Sequence, residues 1–423
     1  MESHTMDKYF IKGGNPLFGC VEVSSAKNAC LPILAASILC DGKVVLQNCP
    51  KFLDVQNMIC ILENFGAKTK LCGKQFCLDM SGLKHYEIPS DLSSKTRSSI
   101  FCLGALLGRF KKARVAYPGG CDIGARPIDL HLKGLEALNV KILDRHGIIF
   151  CDGSAMRGAN VHLDFPSVGA TENIMLAATL AKGETTIFGC AKEPEIVDLQ
   201  KFLNACGAKI VGAGTDVISI TGVKKLHGTT FCPISDRIIA GTYLLAGVIC
   251  GGEIILKNTN PNHFQALCAK LDKNTCKIYH HQNALIVKSH GRHPAISKVE
   301  TLPYPAFPTD LQPQMVAMLA TAKGSSLVVE NLFETRFKYI QELCKMGADI
   351  TINGRSALIR GVPKLYGAEV FSNDLRGGAG LVLAGLMAEG YTKIDNVQQI
   401  QRGYDNLPQD LSALGADITQ ISM

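Results

Sequence analysis

Apolar and polar positions along this chain fall into one arrangement that recurs six times. A helix-like stretch ends, a turn residue follows, and an alternating stretch begins in LENFGAKTK (from Leu62), LEALNVKIL (Leu135), LNACGAKIV (Leu203), LDKNTCKIY (Leu271), LCKMGADIT (Leu343) and LSALGADIT (Leu411). Aligned on Gly66, Asn139, Gly207, Thr275, Gly347 and Gly415, the segments are 73, 68, 68, 72 and 68 residues apart. Glycine or asparagine suits the left-handed residue that ends a helix, and β-branched residues beyond it favour a strand. The small-residue apolar runs LPILAASIL, ENIMLAATLA and GLVLAGLMA predict buried helices, as does the uncharged run from Ile238 to Gly252. VVLQN (Val44), TTIFG (Thr185), EIILK (Glu253) and SSLVVEN (Ser325) predict strands. Each repeat reads roughly as strand, helix, strand, helix, strand. Such a unit buries one sheet face and two helices and must stack on its neighbours to cover the rest, so six of them predict an α/β protein of two domains with three repeats each.

Composition narrows the class. With 423 residues and 47% hydrophobic positions the chain can build two or three sizeable cores. Its seventeen cysteines contain no C-x-x-C pair, which signals neither a disulfide framework nor a zinc site and fits a reducing, cytoplasmic setting. The start, MESHTMDKYFIKG, lacks the basic and apolar regions of a secretory signal, and its first five residues read as either native or added. The run at 238–252 is too short and glycine-rich to span a bilayer. The net charge of +7 is spread out, without the basic patch or aromatic platforms that nucleic acid calls for. Small anionic ligands fit better, although a solvated basic surface with no partner would carry the same charge.

The residues with most chemistry lie in YPGGCDIGARPIDLH, 117–131. Gly119, Gly120 and Gly124 let the backbone approach a ligand, Pro118 and Pro127 bracket the loop, and Arg126 supplies a cation able to grip an anion or activate a thiol. Cys121 can then serve as acid or nucleophile, while an ordinary surface turn would also accommodate it. Lys27 and Asn28 stand just ahead of an expected helix at 31–39, where the lysine can reach a phosphate and the asparagine can cap. Ser167, Val168 and Gly169 precede a helix with small residues that leave N–H groups open to a diphosphate, or form a plain N-cap. Asp310 reads as an N-cap and Arg97 as a surface arginine. His131 reads equally as a satisfied helix-start histidine or a ligand. Arg336, Arg376 and Arg402 each begin or end a repeat.

The 117–131 loop, together with SAKNACLPILAA, FPSVGATENIMLAA, EPEIVDL, YPAFPTDLQPQ, DLRGGAGLVLAG and RGYDNL in the same order, resembles the enolpyruvyl transferases that act on UDP-N-acetylglucosamine. The resemblance covers nearly the whole chain. It implies two inside-out α/β barrels, sheets outside and helices at the centre, hinged across a cleft that closes on the sugar nucleotide. The first barrel would span 20–235 and carry the catalytic loop 118–127; 1–19 and 236–423 would form the second. It also implies transfer of the enolpyruvyl group of phosphoenolpyruvate to the sugar 3-hydroxyl with release of phosphate, the first committed step of peptidoglycan synthesis, without metal or organic cofactor.

Residue roles follow from the same resemblance. Cys121, Asp310, Lys27 and Arg402 would be catalytic, Cys121 donating a proton and taking fosfomycin, Asp310 receiving the hydroxyl proton. Lys27, Asn28, Arg126, Arg336, Arg376 and Arg402 would hold phosphoenolpyruvate. Arg97, Arg126, Pro127, Ile128, Asp129, Leu130, Phe165, Ser167, Val168, Gly169, Asp310 and Leu332 would hold UDP-N-acetylglucosamine. Phe165 stands where some relatives carry lysine, Thr335 where asparagine is usual, Gly377 and Gly378 where alanine and serine or glycine are usual, and Ile239 at a commonly acidic position. Two alternatives remain open: a 5-enolpyruvylshikimate-3-phosphate synthase-like transferase, and a catalytically silent paralogue that binds a nucleotide sugar.

Overall fold

The computed structural model describes residues 7–119, 123–124, 127–271 and 276–422. Five of the six predicted turn residues lie among them, and all five are left-handed: Gly66, Asn139, Gly207, Gly347 and Gly415 have φ between 66° and 105°. Thr275 lies outside the described residues. A β-carbon in that conformation costs about 1–2 kcal/mol, which explains the glycines. After each turn comes a strand at the edge of its sheet: Lys68–Cys72, Lys141–Arg145, Lys209–Val211, Lys277–His281, Asp349–Asn353 and Asp417–Ile421.

The repeat differs in detail from the order read in the sequence. In the second repeat it runs as buried helix Phe101–Phe110, strand Lys112–Ala116, helix Asp129–Ala137, hairpin Lys141–Arg145 and Ile148–Asp152, then the short strand Asn160–His162. That short strand pairs in parallel with Glu184–Phe188 of the next repeat. Parallel hand-over of this kind links repeat to repeat, and these strands of two to four residues escaped notice because they carry too few positions to alternate.

The chain divides into two compact units, counting the described residues of each range: Ser25–Gly120 with Arg126–Ile234, and Met1–Ser24 with Cys121–Ala125 and Ser235–Met423. The first changeover falls after Ser24, four residues beyond the expected 20, and the last after Ile234. Strand Leu17–Glu22 is bonded along its length to Gly252–Lys257, which keeps residues 20–22 with the carboxy-terminal unit. Ile123 and Gly124, expected in the first barrel, also group with that unit, where the Thr335 N–H donates to the Ile123 carbonyl at 3.3 Å.

Among the described residues each unit contains three four-stranded sheets. In the amino-terminal unit, Thr230–Phe231 returns to pair in parallel with Lys43–Gln47 and closes the set. In the carboxy-terminal unit the closing strands come from residues 8–22 and enter two different sheets. Lys8–Lys12 lies between Tyr391–Asp395 and Asp417–Ile421, antiparallel to both, and Leu17–Glu22 joins Gly252–Lys257.

Strands such as Lys112–Ala116 and Ser356–Arg360 bury alternate residues, whereas Val168–Thr179, Arg237–Cys250 and Leu375–Met387 are buried on nearly every side. Helices without a polar face belong in the middle of a fold and half-polar sheets at its surface. Each unit is therefore inside-out, and its catalytic candidates gather where central helices begin.

Candidate active site

In the carboxy-terminal unit the central helices Arg237–Cys250, Gln312–Leu319 and Leu375–Met387 pack on one another. Asp236 Oδ1 accepts the N–H groups of Ile238 and Ile239 at 2.8 and 3.0 Å. Asp374 Oδ1 accepts those of Arg376 and Gly377 at 2.9 and 3.0 Å. With these caps taking the first amides, the positive helix ends converge on the side chains that follow.

Asp310 does not cap its helix. Arg336 Nη2 donates to its Oδ1 at 3.1 Å and to the Thr309 carbonyl at 3.2 Å, and Arg376 donates to Oδ2 through Nε at 3.2 Å and Nη2 at 3.1 Å. The Arg336 side chain is 2% exposed and that of Asp310 is 27% exposed. Burial alone would raise the Asp310 pKa, but the charges of Arg376, Arg336 and Arg237 outweigh it and hold the carboxyl well below the usual range. The same pairing overcomes the burial of Arg376 and keeps its guanidinium charged. Arg336 Nε and Arg376 Nη1 are buried and have no hydrogen-bond partner among the described residues. Two guanidinium groups thus retain donors for an anion.

Two carboxylates absent from the sequence reading organise this corner. Asp374 is one; Glu330 is the other, accepting hydrogen bonds from the hydroxyls of Thr301 at 2.8 Å and Thr309 at 2.9 Å and from the N–H groups of Leu332 at 2.9 Å and Phe333 at 3.2 Å. It fixes Leu332 and the turn bearing Asp310 together. Arg402 follows helix Gln398–Gln401, half-buried, two residues before Tyr404, whose ring lies beside the Arg376 guanidinium. A β-carbon at Gly377 would fall 2.5 Å from Asp374 Oδ2, and one at Gly378 2.2 Å from Ser372 Oγ. These departures from the family pattern match the room available. Ile239 is simply core, as part of a helix buried throughout.

In the amino-terminal unit Lys27 is the first residue of helix Lys27–Ala36, not a residue ahead of it, and Asn28 is the second. The N-cap is Ala26 and makes no side-chain bond, so Asn28 does not cap. The sequence hid this start because the cap is apolar and Pro32 lies inside the helix. Lys27 Nζ lies 2.6 Å from Asp54 Oδ2, with both side chains almost buried. Arg97 opens the 3-10 turn Arg97–Ile100 and is half-buried, with Thr96 as the capping residue.

Ser167 caps helix Val168–Thr179, its Oγ accepting the Ala170 N–H at 3.3 Å, and Val168 and Gly169 form the first turn. Phe165 is exposed. Pro127 is exposed, Ile128 buried, and Asp129 and Leu130 begin helix Asp129–Ala137. Cys121 and Arg126 lie outside the described residues.

His131 gains a definite orientation. Asn173 Oδ1 accepts the Gly104 N–H at 2.7 Å and its Nδ2 donates to the Ile100 carbonyl at 2.8 Å, which fixes the amide. The same Nδ2 lies 2.8 Å from His131 Nδ1, so Nδ1 accepts and the ring proton belongs on Nε2. A β-carbon at Gly169 would fall 2.9 Å from His131 Cε1 and 3.1 Å from Nε2, so the ring edge lies against the start of the Ser167-capped helix.

A fold of inside-out units, with arginines and an aspartate at the starts of central helices, defines an enolpyruvyl transferase. Residues 11–411 match the EPSP synthase (3-phosphoshikimate 1-carboxyvinyltransferase) family, and the chain belongs to it. Within that family it is 52% identical to UDP-N-acetylglucosamine 1-carboxyvinyltransferase 2 of Caldanaerobacter subterraneus subsp. tengcongensis, over 98% of this chain and 100% of the relative. It is 49% identical to the protein of the same name from Carboxydothermus hydrogenoformans, over 99% and 100%. The crystal structure of the enolpyruvyl transferase NikO from Streptomyces tendae superposes with a TM-score of 0.87 at 25% identity, covering 99% of this chain and 100% of that one.

Proposed function

We infer that this enzyme transfers the enolpyruvyl group of phosphoenolpyruvate to the 3-hydroxyl of UDP-N-acetylglucosamine and releases phosphate, a step of peptidoglycan synthesis. End-to-end identity of about half with relatives of that name carries the reading over a shikimate-type transferase or a silent binder. The site chemistry is compatible with it. In the addition, the sugar oxygen bonds to C2 of phosphoenolpyruvate while C3 takes a proton. In the elimination, the C2–O bond to phosphate breaks and C3 gives a proton back.

Arg336 and Arg376, with Arg402, bind the phosphate and carboxylate of phosphoenolpyruvate, as do Lys27, Asn28 and Arg126. Several fixed cations around a shifting negative charge provide the electrostatic stabilisation that dominates catalysis of this kind. Asp310 takes the hydroxyl proton and Cys121 supplies the proton to C3. A carboxylate held by two guanidinium groups is a feeble base, so substrate anion competing for those groups raises its basicity when it is needed. Arg97, 126–130, Phe165, 167–169 and Leu332 serve the nucleotide sugar.

Among the described residues no helix is long and apolar enough to cross a membrane. The described cysteines are free thiols, which suits a cytoplasmic enzyme. The test is phosphate release that requires both substrates, with the enolpyruvyl sugar nucleotide identified by mass. Release with shikimate 3-phosphate instead, or nucleotide-sugar binding without turnover, overturns the reading.

A further inference from the structure

Arg376 rests against a tyrosine for which the reaction scheme has no use. Its Cζ lies 5.7 Å from the centroid of the Tyr404 ring, and Tyr404 is 1% exposed. The Tyr404 hydroxyl is 2.7 Å from Thr242 Oγ1. Thr242 has already committed its proton to the Ile238 carbonyl one helical turn back, at 2.8 Å. Gln314 Nε2, a donor only, lies 3.1 Å from Thr242 Oγ1 and 3.3 Å from the Tyr404 oxygen. With Thr242 donating to Ile238, Tyr404 donates to Thr242 and accepts from Gln314. These bonds hold the ring against the Arg376 guanidinium, a cation–π contact that favours the charged arginine.

We propose that Tyr404 is a positioning residue for the transfer reaction: its ring, oriented through its hydroxyl by Thr242 and Gln314, sets the angle at which Arg376 reaches Asp310 with Nε and Nη2 and keeps Nη1 for the anion. The proposal rests on the reading of Arg376 as a phosphoenolpyruvate ligand. Nothing in the sequence marks the arrangement, because Thr242 and Tyr404 stand 162 residues apart. Tyr404 acts through Arg376 and does not itself touch the reacting atoms.

The experiment uses the full chain and four variants. Tyr404→Phe keeps the ring and removes the acceptor, Thr242→Val removes the group that orients it, Thr242→Ser restores that group, and Arg376→Lys sets the scale. Steady-state kinetics with both substrates varied, and calorimetric binding of phosphoenolpyruvate in the presence of UDP-N-acetylglucosamine, are measured for each. Loss of the bonds that hold the Tyr404 ring against a charged ligand-binding group predicts a fall of about tenfold in kcat/KM for phosphoenolpyruvate in Tyr404→Phe and Thr242→Val. KM for the nucleotide sugar stays within about twofold and Thr242→Ser recovers, which a purely structural role would not produce.

Unchanged kcat/KM for phosphoenolpyruvate in Tyr404→Phe, equal damage to both substrates, or Thr242→Ser failing as badly as Thr242→Val overturns the proposal. If Tyr404→Phe does not fold, the two Thr242 variants decide it. A wild-type protein that binds phosphoenolpyruvate without turnover would sink the functional reading, while the ratio of affinities between wild type and variants still tests Tyr404.

Discussion

Arg376 approaches Asp310 side-on, placing Nε at 3.2 Å and Nη2 at 3.1 Å from the same carboxylate oxygen. Arg336 takes the other oxygen, so the carboxylate is engaged from both sides.

This pairing fixes a pH signature. The folded pKa of Asp310 is depressed by the arginines, against an unfolded value near 3.9. Its stabilisation is therefore complete above the unfolded value and lost as pH falls toward the lower folded value. Asp310→Asn is expected to destabilise the protein by about 2 kcal/mol at pH 7, between the values for exposed and fully buried pairs. Urea unfolding at several pH values should show that deficit constant from pH 7 to 5 and shrinking below about pH 4. Turnover should fall at least about a hundredfold, measured as phosphate release.

Glu172 carries the opposite sign. It is wholly buried, neither carboxyl oxygen has a hydrogen-bond partner among the described residues, and burial, with Glu195 and Glu193 nearby, pushes its pKa well up. Folding then favours the protonated form, so stability is lost as pH rises from the unfolded value toward the folded one. Glu172→Gln should raise Tm relative to wild type at pH 8, with the difference vanishing near pH 4, as differential scanning calorimetry will report.

Gly169 is expected to tolerate no side chain. Its added β-carbon would meet a His131 ring that Asn173 holds in place. Gly169→Ala should raise KM for UDP-N-acetylglucosamine about tenfold, because the first turn of the helix must shift. Phosphoenolpyruvate kinetics at saturating sugar nucleotide should change little. Equal KM values for variant and wild type would separate this helix start from the nucleotide site.

Cys121 should be the thiol that fosfomycin alkylates. Burial pushes Cys102, Cys151 and Cys250 up to about 12, far from the thiolate form. Exposed Cys20, Cys60, Cys72 and Cys232 serve as internal controls, since a general alkylating reagent will mark them. Peptide mass spectrometry should find the fosfomycin adduct on Cys121, and Cys121→Asp should retain some turnover while losing sensitivity.

How much the sequence revealed followed sequence distance. The turns that end helices were legible because a left-handed residue is a local demand, met by Gly66, Gly207, Gly347 and Gly415 alike. The strand at Leu17–Glu22 was harder to assign, since its partner Gly252–Lys257 lies in a remote segment. The chemistry was harder still. Lys27 meets Asp54 across 27 residues and Arg376 meets Asp310 across 66, and no periodicity encodes such encounters. Asp54, Glu330 and Tyr404 were missed for that reason, although Tyr404 sits inside RGYDNL; Asp374 is a local N-cap that DLRGG already offered. The family blocks supplied Asp310 and its arginines, whose individual surroundings read only as a cap and surface cations.

The strand Lys8–Lys12 has a consequence for synthesis. Both strands that flank it, Tyr391–Asp395 and Asp417–Ile421, are made several hundred residues later. Segment 25–234 contains all the strand partners of its own sheets and can close while translation continues. Strand Lys8–Lys12 must wait with its ladder groups unpaired until both flanking strands have been made. Completion of the arginine-bearing unit is thereby tied to synthesis of Asp417–Ile421, and a product truncated before that strand has an unfilled sheet.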